Sequence, residues 1–354
     1  MNKHSIIFII IFLFFVACRE KSSEIDIVVD NLPQVQLLHH ESVQLPEEGK
    51  LVNPYGIEVV NDEYLIIINE SSDRIIQVFQ LPELNWLYSW GRLGRGPGEF
   101  YSHIDEQSIN IKKDTLIFYN TITNRGSLKY YVINDEEIRE VKEHQIFYEG
   151  QRMPLNRVRR ITDELYFADF GIVEETNQEY IALSPNSIDS LFTFGSFPDT
   201  DLQRHRRAQY FAKTNVAKPD GQKFAAYYLH HNKFSMYDFE GNPLVHGDIH
   251  DLNVPIAQQS TNEFIYRAFT HASDDYIYVY SPYSNEETIF ADPENYSPII
   301  EIWNWDGEPI TRLKLDRPVH QFTVSERYGE IFTFSVFEND QIYIYDIEEI
   351  ISNL

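Results

Sequence analysis

The chain is expected to fold as an all-β, six-bladed β-propeller closed by an N-terminal strand that completes the last blade. Three observations carry that expectation. The first is a turn signal followed by an aromatic or aliphatic strand, recurring six times. It stands as Asn61-Asp62 before Tyr64-Leu65-Ile66, Lys113-Asp114 before Leu116-Ile117-Phe118, and Thr162-Asp163 before Leu165-Tyr166-Phe167. It returns as Asp220-Gly221 before Phe224 to Tyr228, Asp274-Asp275 before Tyr276-Ile277-Tyr278, and Tyr328-Gly329 before Ile331-Phe332-Thr333. Between positions 64, 116, 165, 225, 276 and 331 the steps are 52, 49, 60, 51 and 55 residues. A repeat of roughly 40–50 residues with about four short strands is what a propeller blade requires. The second observation is a further alternating strand after each signal, two of which end in the same turn, Tyr237-Asp238-Phe239-Glu240-Gly241 and Trp303-Asn304-Trp305-Asp306-Gly307. The third is that hardly any segment sustains a 3.6-residue period, which removes helical solenoids.

The elements follow in order. Residues 1–17 read as a lipoprotein signal peptide: Lys3 and His4 supply the charged end, Ile6 to Val16 is unbroken apolar sequence, and Ala17 is the small residue before a cut. A spanning helix needs roughly 20 apolar residues, so this run suits a cleaved export signal. Cys18, the only cysteine of the chain, sits where a bacterial lipobox places the residue to be acylated. An ordinary cleaved signal with an incidental cysteine is the plainer alternative. Arg19 follows instead of the aspartate associated with inner-membrane retention, so the expected location is the envelope of a Gram-negative bacterium, on the outer membrane. Residues 18–33 are polar and charged and read as a tether with no part in the fold. The propeller is expected over 34–354, with blades near 46–100, 101–150, 151–207, 208–258, 259–316 and 317–354. The last is one strand short, and Val35 to Leu38 is expected to supply it, which removes an exposed edge.

Two stretches resemble a known family. Gly91-Arg92-Leu93-Gly94-Arg95-Gly96-Pro97-Gly98-Glu99-Phe100 resembles the Gly-rich turn after the first blade of Bacteroidetes six-bladed propeller lipoproteins. Ile300 to Gly307, Leu313-Lys314-Leu315-Asp316 and Ile342-Tyr343-Ile344-Tyr345 are similar to the TolB-like six-bladed propeller proteins. The resemblance implies fold and lineage and transfers no catalytic residue.

Composition narrows the function classes. With 29 Lys plus Arg against 55 Asp plus Glu, the net charge is −26. Binding nucleic acid through phosphates needs the opposite balance. A single cysteine forms no intrachain disulfide, so a monomer must be stabilised by a large core. The Gly-rich turn lacks the Lys-Ser/Thr and following helix of a phosphate loop. No Gly-x-Ser-x-Gly elbow or His-Glu-x-x-His pair occurs. His246, Asp248 and His250 alternate as one face of a strand would present them, which suits a metal and equally a solvated edge. No cofactor is expected. Calcium is the alternative, with Glu58, Asn110, Asn215 and Asp105 as carboxylate and amide candidates of a lactonase-type channel site.

The scarce arginines are the candidate binding residues. Arg92, Arg95 and Arg204 fall in links between blades, and Arg157, Arg159 and Arg267 fall on expected innermost strands. Arginine's planar fork suits carboxylate and phosphate, so these six are expected to converge on an anion at one propeller mouth. Their alternative role is to offset neighbouring acids such as Asp199, Asp201 and Glu99. The expected function is therefore a lipid-anchored binding or scaffold protein, without catalysis, for an envelope protein or anionic glycan. The rivals are a calcium-dependent lactonase or hydrolase, and a structural subunit of an outer-membrane assembly.

Overall fold

In a computed structural model of the chain, the described residues are 23–354 except 46–50, 71–73, 95–98, 100–103, 113–114, 123–126, 135–136, 146, 149–150, 153–154, 171–175, 185–189, 252–262, 336 and 338–340. Six four-stranded antiparallel blades occupy 54–90, 110–145, 155–196, 213–250, 269–314 and 321–346, the last borrowing its fourth strand from the N-terminus. Each lies within the span read from the repeats. Among the described residues no helix is long and apolar enough to cross a membrane.

The alternating strands bury both faces against neighbouring blades, which gives one apolar core per interface. Ile66, Ile76 and Val78 meet Leu116 and Phe118 between blades one and two, and Leu128 meets Ile181 between two and three. Phe167 and Tyr180 meet Phe224 and Tyr237 between three and four, and Tyr227 and Phe234 meet Trp303 between four and five. Tyr278 and Ile300 meet Phe322 and Tyr343 between five and six. Phe332 and Ile342 then meet Ile57 and Leu65 of blade one, which closes the ring. The two repeated turns use their glycines to reverse: Gly241 (φ 79°) and Gly307 (φ 87°) hold left-handed backbone that a Cβ disfavours. Asp238 and Asn304 accept backbone N–H bonds from within those turns.

The N-terminal segment departs from the sequence expectation. Residues 23–33 are no tether. Ser23–Val28 adds a fifth strand to blade four, parallel to Pro243–His250, with Ile25 opposite Gly247. Ile27 and Val29 are buried in the core between blades four and five, and the Pro33 carbonyl accepts from Arg312 N and Thr311 Oγ1 at 2.9 Å each. Gln34–Gln36 then lies parallel to Pro309–Lys314 as a fifth strand of blade five. The closing strand of blade six is Glu41–Gln44, antiparallel to Gln341–Asp346. An N-terminal strand does complete the last blade, but it lies further along the chain than Val35 to Leu38. The N-terminal stretch is a strap laid over three consecutive blades. The signal-peptide residues 1–17 and Cys18 lie outside the described residues.

Candidate functional site

The first strands of the blades, including Pro54–Val60, Leu155–Arg160, Lys213–Ala217 and Gln321–Ser325, line the central channel. Part-way along, the turn Glu106–Ser108 enters it from the link into blade two. Gln107 Nε2 donates across the ring to the Thr270 carbonyl of blade five. Arg159 reaches from blade three, with Nη1 donating to both Asp105 carboxylate oxygens at 2.7 Å and Nε to the Asn215 carbonyl at 3.0 Å. A charged pair held by several hydrogen bonds is rigid as well as strong. This polar plug floors a cup of about 540 Å³ bounded by all six blades. The cup opens on the face where the turns between first and second strands lie, at Asp62, Ile161, Lys218, Asp274 and Glu326. That side is called the cup face; the opposite side, where the links between blades run, is the link face.

The cup is acidic. Among the described residues that line it there are three cations, each engaged by a carboxylate: Arg159 by Asp105 at 2.7 Å, Arg160 by Asp163 at 2.6 Å, and Lys218 by Asp220 at 2.6 Å. Among the described residues, the Asp62 and Glu326 carboxylates accept from hydroxyls, Ser325 Oγ at 2.6 Å and Tyr278 Oη at 2.7 Å. Asp274 and Asp275 are exposed at the rim. In the wall, Glu58 faces His271 Nδ1 at 3.5 Å, and His271 meets Thr323 Oγ1 at 3.2 Å. Burial, and then repulsion from Asp105, pushes the Glu106 carboxyl up to about 7 against the pull of Arg159. Burial likewise raises Asp169 to about 6, opposed by Arg157, Lys213 and Arg159.

Of the six candidate arginines, the four whose side chains are described, Arg92, Arg157, Arg159 and Arg267, do not converge. Arg92 pairs with Glu99 at 2.5 Å in the link after blade one. Arg157 has φ 44° at a register break in its strand and pairs with Asp169 at 3.5 Å, while Arg159 two residues on belongs to the plug. Arg204 starts the link helix Arg204–Tyr210, and Arg95 lies outside the described residues. Arg267 is fully buried, bonded to Glu301 at 3.0 Å within a network that adds Asn232, Tyr283, Arg312 and Asp251. Burial alone would raise the Glu301 carboxyl, but Arg267 and Arg312 outweigh it and hold it below its ordinary value. Arg267 therefore ties blades together and offers nothing to a ligand. Arg92, Arg157, Arg159 and Arg267 thus each meet an acid of the protein itself and share no common site.

The metal candidates separate as well. Glu58 and Asn110 line the cup, but Asp105 is turned onto Arg159 and Asn215 Nδ2 donates to Asp169 at 2.6 Å. Asp248 pairs with Lys233 and His250 with Asp26 of the strap. Among the described residues no group of three His, Cys, Asp or Glu is placed to hold a metal ion. The signal that sequence reading missed was the repeated acidic turn itself, since Asp62, Asp163, Asp220, Asp274 and Asp275 all mark the same face.

Six blades around a plugged channel define a six-bladed β-propeller protein. The TolB-like 6-blade propeller-like family model matches residues 39–327, and the chain belongs to that family. A DUF4221 family member from Bacteroides vulgatus superposes with a TM-score of 0.62 at 11% identity, over 88% of this chain and 97% of that one. A gluconolactonase, XC5397 from Xanthomonas campestris, aligns at TM-score 0.49 and 7% identity, over 85% and 88% of the two chains. The likeness to the DUF4221 member speaks to fold alone. No curated protein sequence matches the chain.

Proposed function

We propose that this protein is a lipid-anchored binding protein of the Gram-negative outer membrane, attached through Cys18, that acts without catalysis. Its cup receives a basic segment of an envelope protein. The charge balance of the cup supports this reading: Asp62, Asp274, Asp275 and Glu326 face cations that are already engaged. An anionic glycan would meet net repulsion there, so of the two partner classes the protein is preferred. Attraction between exposed charges fades beyond roughly 8–10 Å in physiological salt, so recognition requires the partner to enter the cup. The test is photo-cross-linking in intact cells from a reactive residue at Ser273 in the cup and from another at Glu287 on the link face. The expected result is an adduct from Ser273 alone whose cross-linked peptide carries lysine or arginine. Equal adducts from both faces, or none from the cup, would overturn the proposal.

A further inference from the structure

The strap also fixes where on the propeller the described N-terminal segment begins. Pro243–His250 runs from the turn 239–242 on the cup face toward the link into blade five. Ser23–Val28 is parallel to it, with Ser23 opposite Val245 and Val28 opposite His250. The strap therefore begins on the cup face, at the rim of blade four. Its placement is fixed by packing: Val29 N donates to the His250 carbonyl at 3.0 Å, and Ile27 and Val29 are buried. Four residues, 19–22, separate Cys18 from Ser23. Even fully extended, those five steps reach at most ~17–18 Å, about the length of one strand in the blade.

We infer that the strap holds the propeller with its cup face toward the lipid surface that carries the anchor, blade four nearest, so that the cup meets a membrane-proximal partner. This rests on the anchoring of Cys18 proposed above. A longer flexible tether would let either face turn to the bilayer; this one would have to run fully extended along the whole edge of blade four before the link face could meet the surface, so the cup face is favoured. The cup-face turns of blade four carry Asp220, Asp238 and Glu240, and their lysines, Lys218 and Lys223, are paired with Asp220 and Asp306, so they offer no basic patch to bind anionic headgroups. The inferred partner is then a basic segment lying just outside the bilayer, in the gap between lipid and cup.

The test uses the full lipidated chain, purified from membranes and reconstituted into phosphatidylethanolamine vesicles containing lipid with a nitroxide on the headgroup. A fluorophore is placed through Glu240→Cys, exposed on the cup face, or through Asp201→Cys, exposed in the link before blade four. An acylated Cys18 does not react with the thiol reagent. Quenching several-fold stronger at 240 than at 201 is expected. Twenty Gly/Ser residues inserted after Lys21 should abolish the difference, because a flexible linker of that length spans ~25 Å root-mean-square. Equal or reversed quenching in vesicle-bound protein would overturn the orientation while leaving the anchor intact. Labelling of the parent chain at Cys18, or failure to associate with vesicles, would instead overturn the anchor and the orientation with it.

Discussion

The Ile25 carbonyl of the strap occupies the space that a Cβ on Gly247 would fill, so the outer strand of blade four is built to be covered. Gly247 has no left-handed φ that would demand glycine. Its lack of a side chain serves the close approach of a neighbouring backbone. Gly247→Ala should therefore cost about 1–3 kcal/mol, the usual penalty for overpacking. Hydrogen exchange at Val29 N–H, bonded to His250, should lose protection first. Unchanged protection at Val29 would mean that the strap does not lie on this strand.

Truncations separate the pieces of the strap. A chain beginning at Ser23 should fold as the full one does. Removing 23–36 strips Ile27, Val29 and Val35 from the cores that include blade five. The expected loss is several kcal/mol, at about 1.5–3 kcal/mol for each fully buried aliphatic side chain. Removing 23–45 also takes the fourth strand of blade six and exposes an unpaired edge, which should aggregate. Urea titration and light scattering distinguish the three.

Arg267→Gln should lower stability by about 3–5 kcal/mol, because it leaves Glu301 charged and buried without one of its two guanidinium partners. Arg92→Gln removes an exposed pair and should change stability by at most about 1 kcal/mol. Denaturant midpoints for the two variants check the contrast. Equal effects would return Arg267 to the status of a surface residue.

Glu106 supplies a pH dependence of known sign. Its carboxyl rises from 4.5 to about 7 on folding, so between those values the folded chain holds a proton that the unfolded chain has released. Stability contributed by this group is full below pH 4.5 and declines as pH rises to about 7. Glu106→Gln should remove that decline. Its melting temperature should exceed that of the parent by a few degrees at pH 8 and match it near pH 4.5. Parallel profiles for the two proteins would show that Glu106 does not titrate in this range.

The ring was legible because each blade repeats a local pattern, a polar turn and then a strand apolar on both faces. The strap was less so, although Ile25, Ile27 and Val29 alternate with Glu24, Asp26 and Val28 as a half-buried strand does. Without a turn before it, that alternation resembles a tether. Arg267 misled because its partner Glu301 lies on another strand 34 residues away, and sequence spacing carries no trace of such a pairing. Arg157 and Arg159 lie two residues apart, which in regular extended backbone puts them on one face; the register break between Asn156 and Arg159 gives them different partners, as bulges do. The acidic cup was in plain view in the turns, whereas the pairing of Arg159 with Asp105 joins residues 54 apart and leaves no trace in sequence spacing.

The most direct measurement is binding of a lysine-rich peptide to the purified propeller, compared between two charge-matched variants. One neutralises the cup with Asp274→Asn, Asp275→Asn and Glu326→Gln. The other neutralises the link face with Asp199→Asn, Glu286→Gln and Glu287→Gln. Both lose three negative charges, so a response to net charge alone treats them alike. Recognition by the cup predicts affinity that falls with salt, drops tenfold or more (about 1.4 kcal/mol) in the cup variant, and survives in the link-face variant. Equal loss in both, or tighter binding of an acidic oligosaccharide than of the peptide, would contradict it.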